Sequence, residues 1–216
     1  MAKARILIAD DHAIVRRGLR ALLQSQPGWE VCGEAVNGRE AVEKIAQLKP
    51  DVAIVDIAMP ELNGLEVTRR IVKAYPPTEV IILTMHHSDE VVHEVLKAGA
   101  RGYVLKSDAD QNLIQAVEML LQHKPFLTPD VTNVVLTNYL HGIESPEMPA
   151  ENQVTARERE IIQLLSEGKS NKEVAVVLNI STRTVETHRA NIMRKLGVES
   201  LGELVRYAIR HRIVEL

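Results

Sequence analysis

Five short runs rich in β-branched residues recur through the first half of the chain, and their spacing limits the fold more than any other feature. They read RILIAD (5–10), EVCGEA (30–35), DVAIVD (51–56), EVIILT (79–84) and GYVLK (102–106). Between them the apolar residues return at helical spacing. Ile14, Val15, Leu19, Leu22 and Leu23 are expected on one helix face, and Leu113, Ala116, Val117 and Leu120 on another. Asn37 with Glu40 reads as a capping box that opens the second helix. Strands that are apolar on both faces and alternate with helices build a parallel sheet covered on both sides.

In such a sheet the carboxyl ends of the strands share one rim, which is where open α/β sheets hold ligands. Asp10 and Asp11 end the first run, Asp56 the third, Thr84 the fourth and Lys106 the fifth. Taken alone in IVDIAMPELNG (54–64), Asp56 reads more readily as a turn acid or a helix N-cap than as a reactive group. Its convergence with the other four argues for chemistry. Neighbouring carboxylates raise one another's pKa unless a cation is present. A few hard oxygen ligands with room for water suit Mg²⁺. A carboxylate in that setting is a nucleophile toward phosphorus, and a Lys neutralises the phosphoryl oxygens. Asp56 is placed to attack; Asp11 would ligate the metal, and Asp10 would either ligate it or hold one of its waters.

After Lys124 the alternation stops. One short helix is expected near 129–141, closed by Gly142, and IESPEMPAENQ (143–153) reads as a flexible or extended linker. Thr155 with Glu158, and Ser170 with Glu173, form two further capping boxes, and Ser181 is an N-cap for a third helix that ends near Leu196 with Gly197 as its cap. Gly168 and the pair 179–180 supply the turns, so this part reads as a helix-turn-helix. At about 100° per residue, Val185, Ile192 and Leu196 fall in a narrow core stripe, with Arg183, Thr187, Ala190 and Arg194 opposite, flanked by Glu186 and Asn191. Such a face suits a major groove, although an ordinary solvated helix carries much the same pattern. Leu201, Leu204, Val205 and Ala208 then mark a last helix, mostly core.

Composition excludes little beyond this. Of 216 residues, 45% are hydrophobic and 25% charged, ordinary values for a soluble globular protein. The net charge of −3 is uneven: residues 151–216 hold 11 Lys and Arg against 9 Asp and Glu, and the acidic excess lies before them. Cys32, the single cysteine, permits no intramolecular disulfide and reads as core in a reducing compartment. No signal peptide and no run of the ~18 apolar residues a spanning helix needs are evident, so a cytoplasmic protein without membrane association is expected.

DDH (10–12), DIAMP (56–60) with Gly64, LT (83–84) and YVLK (103–106) together resemble the receiver domain of bacterial response regulators, across roughly residues 3–124. The resemblance implies a flavodoxin-like (βα)5 fold. It makes Asp56 the phosphoacceptor, and gives Mg²⁺ the carboxylates of Asp10, Asp11 and Asp56 and the backbone carbonyl of Ala58. It sets Lys106 on the phosphoryl group, and makes Thr84 and Tyr103 a switch pair whose hydroxyl moves toward the phosphate as the ring turns inward. Ala58 and His86, two residues past Asp56 and Thr84, would tune hydrolysis. Phosphatases that form an aspartyl-phosphate typically carry a second Asp two residues after the nucleophile; Ala58 cannot donate a proton, so an enzyme is not expected.

TARERE, GKSNKEVA and STRTVETHRANIMRKLGV similarly resemble the LuxR-type helix-turn-helix of NarL/FixJ regulators, over 154–216. That implies a small all-α four-helix domain meeting double-stranded DNA through Thr182, Arg183, Thr184, Glu186, Thr187, His188, Ala190, Asn191, Arg194 and Lys195. Val154 stands for the usual Leu. Glu186 and Ala190 stand where some relatives carry base-contacting lysines, which leaves the operator sequence open. His188 and Arg189 read as phosphate contacts or as core edge. The expected organisation is a receiver domain at 1–124, a linker helix and flexible linker at 125–153, and a DNA-binding domain at 154–216. The resemblance further implies a sensor histidine kinase as phosphodonor, RNA polymerase as a candidate partner, and a homodimer when phosphorylated, paired through the last helix.

Overall fold

The computed structural model describes residues 3–85, 88–140 and 154–214, and divides the chain into two compact units, 1–143 and 144–216. His86, Gly142 and the expected flexible linker at 143–153 lie outside the described residues.

In the first unit, β1 (Ala4–Ala9), β2 (Trp29–Ala35), β3 (Val52–Asp56), β4 (Glu79–Thr84) and β5 (Gly102–Leu105) form a parallel sheet in the order β2-β1-β3-β4-β5. The order reverses between β1 and β3, which opens a crevice at their carboxyl ends. Helices α1 (Ala13–Gln24), α2 (Gly38–Leu48), α3 (Gly64–Ala74), α4 (Asp89–Ala98) and α5 (Ala109–Leu121) cover the two faces. Alternation along the strands sorts the core. Leu7, Val55, Ile82 and Tyr103 pack with Ile45, Val67 and Val95 on one face, while Ile8, Ile54, Leu83 and Val104 pack with Leu23, Leu113 and Val117 on the other. β3 and β4 are buried throughout, as interior strands of a covered sheet should be, whereas edge strand β2 is half exposed.

Some local expectations change. Ile14 is 85% exposed and does not share the buried face of Leu19 and Leu23. At 100° per residue it lies about 180° from Leu23, so it cannot turn inward with it. Asn37 caps α2 by accepting from the Glu40 amide, but the Glu40 carboxylate accepts from the Val36 amide, so the reciprocal half of the box is displaced by one residue. Cys32 is half buried beside the register shift between β1 and β2, its Sγ 3.4 Å from the Ile6 carbonyl oxygen.

The segment after α5 is tied to the sheet. Phe126 bridges Gly102 in parallel; its carbonyl accepts from the Tyr103 amide at 3.1 Å and its amide donates to the Arg101 carbonyl at 2.9 Å. Helix α6 (Pro129–Leu140) then buries Val131 in the core beside α4, with Leu127, Val134 and Val135 against the same cluster. The expected linker helix thus begins packed on the first unit, through apolar residues that follow LTPD.

The second unit contains α7 (Ala156–Ser166), α8 (Asn171–Leu178), α9 (Thr182–Leu196) and α10 (Leu201–Arg210) around Ile161, Leu164, Val174, Val185, Ile192 and Leu204. Both capping boxes close reciprocally, Ser181 accepts from the Thr184 amide, and Gly197 ends α9 in the left-handed conformation at φ 65°. Asn179 takes the same conformation at φ 52°, the sharp turn that lets α8 and α9 meet as a helix-turn-helix.

Candidate functional site

Each charged member of the rim stands just at or past the end of its strand. Asp56 is the last residue of β3, Asp10 and Asp11 follow β1, and Lys106 opens a 3-10 turn after β5. The ligand atoms of Asp10, Asp11, His12 and Asp56 lie within 4.8 Å of one another. Lys106 Nζ stands 2.7 Å from Asp10 Oδ2 and 2.9 Å from Asp56 Oδ2, and all three side chains are almost fully buried. The ammonium thus pairs with both carboxylates at once.

Burial, the largest cause, raises the Asp56 carboxyl to about 6, with the charges of Asp10 and Asp11 adding to the rise and Lys106 opposing it. Burial likewise works against the Lys106 ammonium, but its contacts with Asp10 and Asp56 outweigh it and hold the pKa above the ordinary lysine value. The loop after β3 makes room for this. Gly64 lies so close to the Asp56 backbone that a Cβ would stand 2.0 Å from the Asp56 carbonyl oxygen, and a Cβ on Gly38 would stand 1.8 Å from that of Leu62. A side chain at either glycine would displace the loop that carries Ala58.

A divalent cation fits this donor set. Three carboxylates converge with one balancing ammonium, which leaves net negative charge among hard oxygen donors. Thr84 ends β4 and is buried, while Tyr103, the second residue of β5 and opposite Ile82, is buried with its ring inside the core on the α4 face. Sequence reasoning passed over His12, whose Nδ1 lies 2.7 Å from Asp11 Oδ1, and Arg16, whose guanidinium donates to the Asp10 carbonyl at 2.8 Å. The signal for the first was adjacency in DDH; for the second it was a cation one helical turn into α1.

On α9, Arg183, Thr184, Glu186, Thr187, Ala190, Asn191 and Arg194 are exposed, while Thr182, His188 and Lys195 are half buried. Thr187 Oγ1 donates to the Arg183 carbonyl, Thr184 pairs with the Ser181 hydroxyl, and Arg194 donates to Asn191 Oδ1 at 3.3 Å. Lys195 is engaged inside the domain, its Nζ 3.0 Å from Glu158 Oε2 at the start of α7. Burial opposes ionisation of Glu158, but the Thr155 amide and Lys195 lower its pKa overall. Arg189 reaches Asn171 Oδ1 on α8 at 3.4 Å, which puts it at the core edge. Val185 and Ile192 are buried as expected, whereas on α10 Leu201 is 41% exposed.

Comparison with known proteins agrees with both units. Residues 6–118 match the response regulator receiver domain, and residues 152–208 match the luxR family of bacterial regulatory proteins. The oxygen regulatory protein NreC of Staphylococcus epidermidis is 37% identical over 216 residues, which cover 98% of this chain and 99% of that one. The RcsB response regulator of Salmonella typhimurium superposes with a TM-score of 0.63 at 28% identity, covering 98% of this chain and 99% of RcsB. A structure of RcsB from Salmonella enterica serovar Typhimurium, bound to the promoter rprA in the presence of phosphomimetic BeF3−, matches with a TM-score of 0.58 at 28% identity, over 95% of this chain and 98% of that one.

Proposed function

The chain belongs to the response regulators that join a receiver domain to a luxR-family DNA-binding domain, and from that premise we propose that Asp56 accepts a phosphoryl group from a sensor histidine kinase and so controls DNA binding by α9. The observation that carries this reading is the meeting of Asp10, Asp11 and Asp56 at one strand-end rim, with Lys106 between Asp10 and Asp56.

The carboxylates of Asp10, Asp11 and Asp56, with the Ala58 carbonyl, would hold Mg²⁺. When bound it supplies positive charge that offsets the phosphoryl oxygens. The chain's own groups supply the rest. Asp56 must be ionised for an oxygen lone pair to attack phosphorus, and a carboxyl at about 6 is mostly ionised at neutral pH. The β3 end and the close approach of Gly64 fix that carboxylate at the rim. Attack forms the Oδ–P bond as the bond from phosphorus to the donor breaks. Lys106, already against Asp56, then pairs with the new phosphoryl charge. Thr84, which ends β4, and Tyr103, two residues back from the end of β5, are the groups whose rearrangement reports the change.

On the DNA side, Arg183 and Arg194 are the phosphate-binding cations, and Glu186, Thr187, Ala190 and Asn191 face the bases. Lys195 serves α7 instead. RcsB bound to its promoter with a phosphomimetic supports this pairing of modification with DNA binding. Leu201 and Val205 on α10 offer an apolar edge for pairing two such domains. Among the described residues no helix is long and apolar enough to cross a membrane, and a DNA target puts the protein's work in the cytoplasm.

Incubation of the chain with a small acyl phosphate and Mg²⁺ should add one phosphoryl group by intact mass, and Asp56→Asn or chelation should abolish it. Labelling of another residue in Asp56→Asn would overturn the assignment.

A further inference from the structure

We propose that Arg16, held by Glu34, is a positioning residue for Mg²⁺ binding, and that it acts by fixing the Asp10–Asp11 peptide. This rests on reading the rim as the phosphoacceptor and Mg²⁺ site.

Asp10 lies one residue beyond β1, where ladder bonding to β3 has ended. Its backbone is nevertheless held on both sides. The amide donates to the Ala35 carbonyl at 3.1 Å, and the carbonyl accepts from Arg16 at 2.8 Å. Its carboxylate accepts from the His12 amide at 2.7 Å through one oxygen and meets Lys106 with the other. The Asp10 carbonyl belongs to the peptide that joins Asp10 to Asp11, so its orientation sets where both carboxylates point. Arg16 supplies the donor that the sheet no longer does.

Arg16 is itself held. Its side chain is only 13% exposed, and its Nε lies 3.3 Å from Glu34 Oε2, while Arg20 takes the other Glu34 oxygen. Lys44 from α2 donates to the Glu34 carbonyl. Burial would raise the Glu34 pKa, but Arg20 and Arg16 pull it below the usual carboxylate range and keep the anchor charged. Glu34 immediately precedes Ala35, the residue that bonds the Asp10 amide, so one strand end fixes both faces of the Asp10 backbone. A ligand's orienting partner of this kind is commonly worth 10- to 100-fold in metal affinity.

The test is calorimetric titration of the full chain with Mg²⁺ alone, followed by acetyl phosphate labelling across a range of Mg²⁺. Arg16→Ala should weaken Mg²⁺ binding roughly tenfold. Its labelling rate should fall at low Mg²⁺ and return to that of the unaltered chain at saturation. Arg16→Lys, which keeps a donor for the Asp10 carbonyl, should recover part of the affinity. Should Arg16→Ala fail to fold, Arg16→Lys and Glu34→Gln carry the test, each with a several-fold loss of Mg²⁺ affinity. Unchanged affinity in the folded variants, or a rate deficit that saturating Mg²⁺ does not repair, overturns the inference and leaves the parent reading standing. An unaltered chain that binds no Mg²⁺ sinks both.

Discussion

At the strand-end rim Asp10, Asp56 and Lys106 are almost completely buried, whereas the charged and polar residues of the α9 face, Arg183, Glu186, Asn191 and Arg194, stand in solvent. The rim concentrates charge where water cannot screen it, so each group is defined by its neighbours and the site is shaped before any ligand arrives. The α9 face keeps its charge hydrated and bonds loosely within its own helix, as Arg194 does to Asn191. A buried site is therefore expensive to disturb even without its ligand; an exposed one is silent until DNA is present.

The largest effect on stability should come from Lys106→Ala. It strips the cation from two buried carboxylates, and breaking a buried pair from one side costs about 3–5 kcal/mol. Urea unfolding near neutral pH should show that loss, and Mg²⁺ should restore much of it. A loss under 1 kcal/mol would mean the rim is better hydrated than its burial indicates.

Asp56→Asn should act in the opposite direction. The carboxyl is raised from 3.8 to about 6 in the folded chain, so folding favours its protonated form. Its contribution is full below the unfolded value and is lost as pH rises through about 6, leaving the ionised group a net cost at neutral pH. Replacement should thus stabilise the protein by up to about 3 kcal/mol at neutral pH, with little change in acid. Unfolding midpoints of the two proteins compared across that window should diverge as pH rises; parallel curves would contradict a carboxyl raised by burial at the rim.

Arg194→Ala should leave stability within about 0.5 kcal/mol, as exposed substitutions do. It should weaken DNA binding and lower the slope of log affinity against log salt by roughly one. An unfolding defect in this variant would erase the contrast between the two regions.

How much could be read in advance follows the same division. The five strands and the rim were legible because burial on both faces forces continuous apolar runs, and the ends of such runs show which polar residues meet. Helix-turn-helix boundaries were legible because Thr155, Ser170, Ser181 and Gly197 are local chemistry. Contacts that depend on how side chains cross between elements were not. Lys195 turning to Glu158 and Val131 docking beside α4 each join residues whose sequence neighbours carry no mark of the partner, and for Arg16 reaching Asp10 the only mark was a cation one turn into α1. Ile14 is apolar yet exposed, because its angle on α1 sets it opposite Leu23.

Central to the account is that modification at the buried rim changes what the exposed helix can do. DNA affinity and sedimentation of the full-length protein, measured with and without phosphorylation of Asp56, test this directly. Tight, strongly salt-dependent binding and a shift to dimer are expected only in the phosphorylated protein, because pairing two DNA-binding domains raises affinity without new base contacts. Identical affinity and identical sedimentation in the two forms would contradict it.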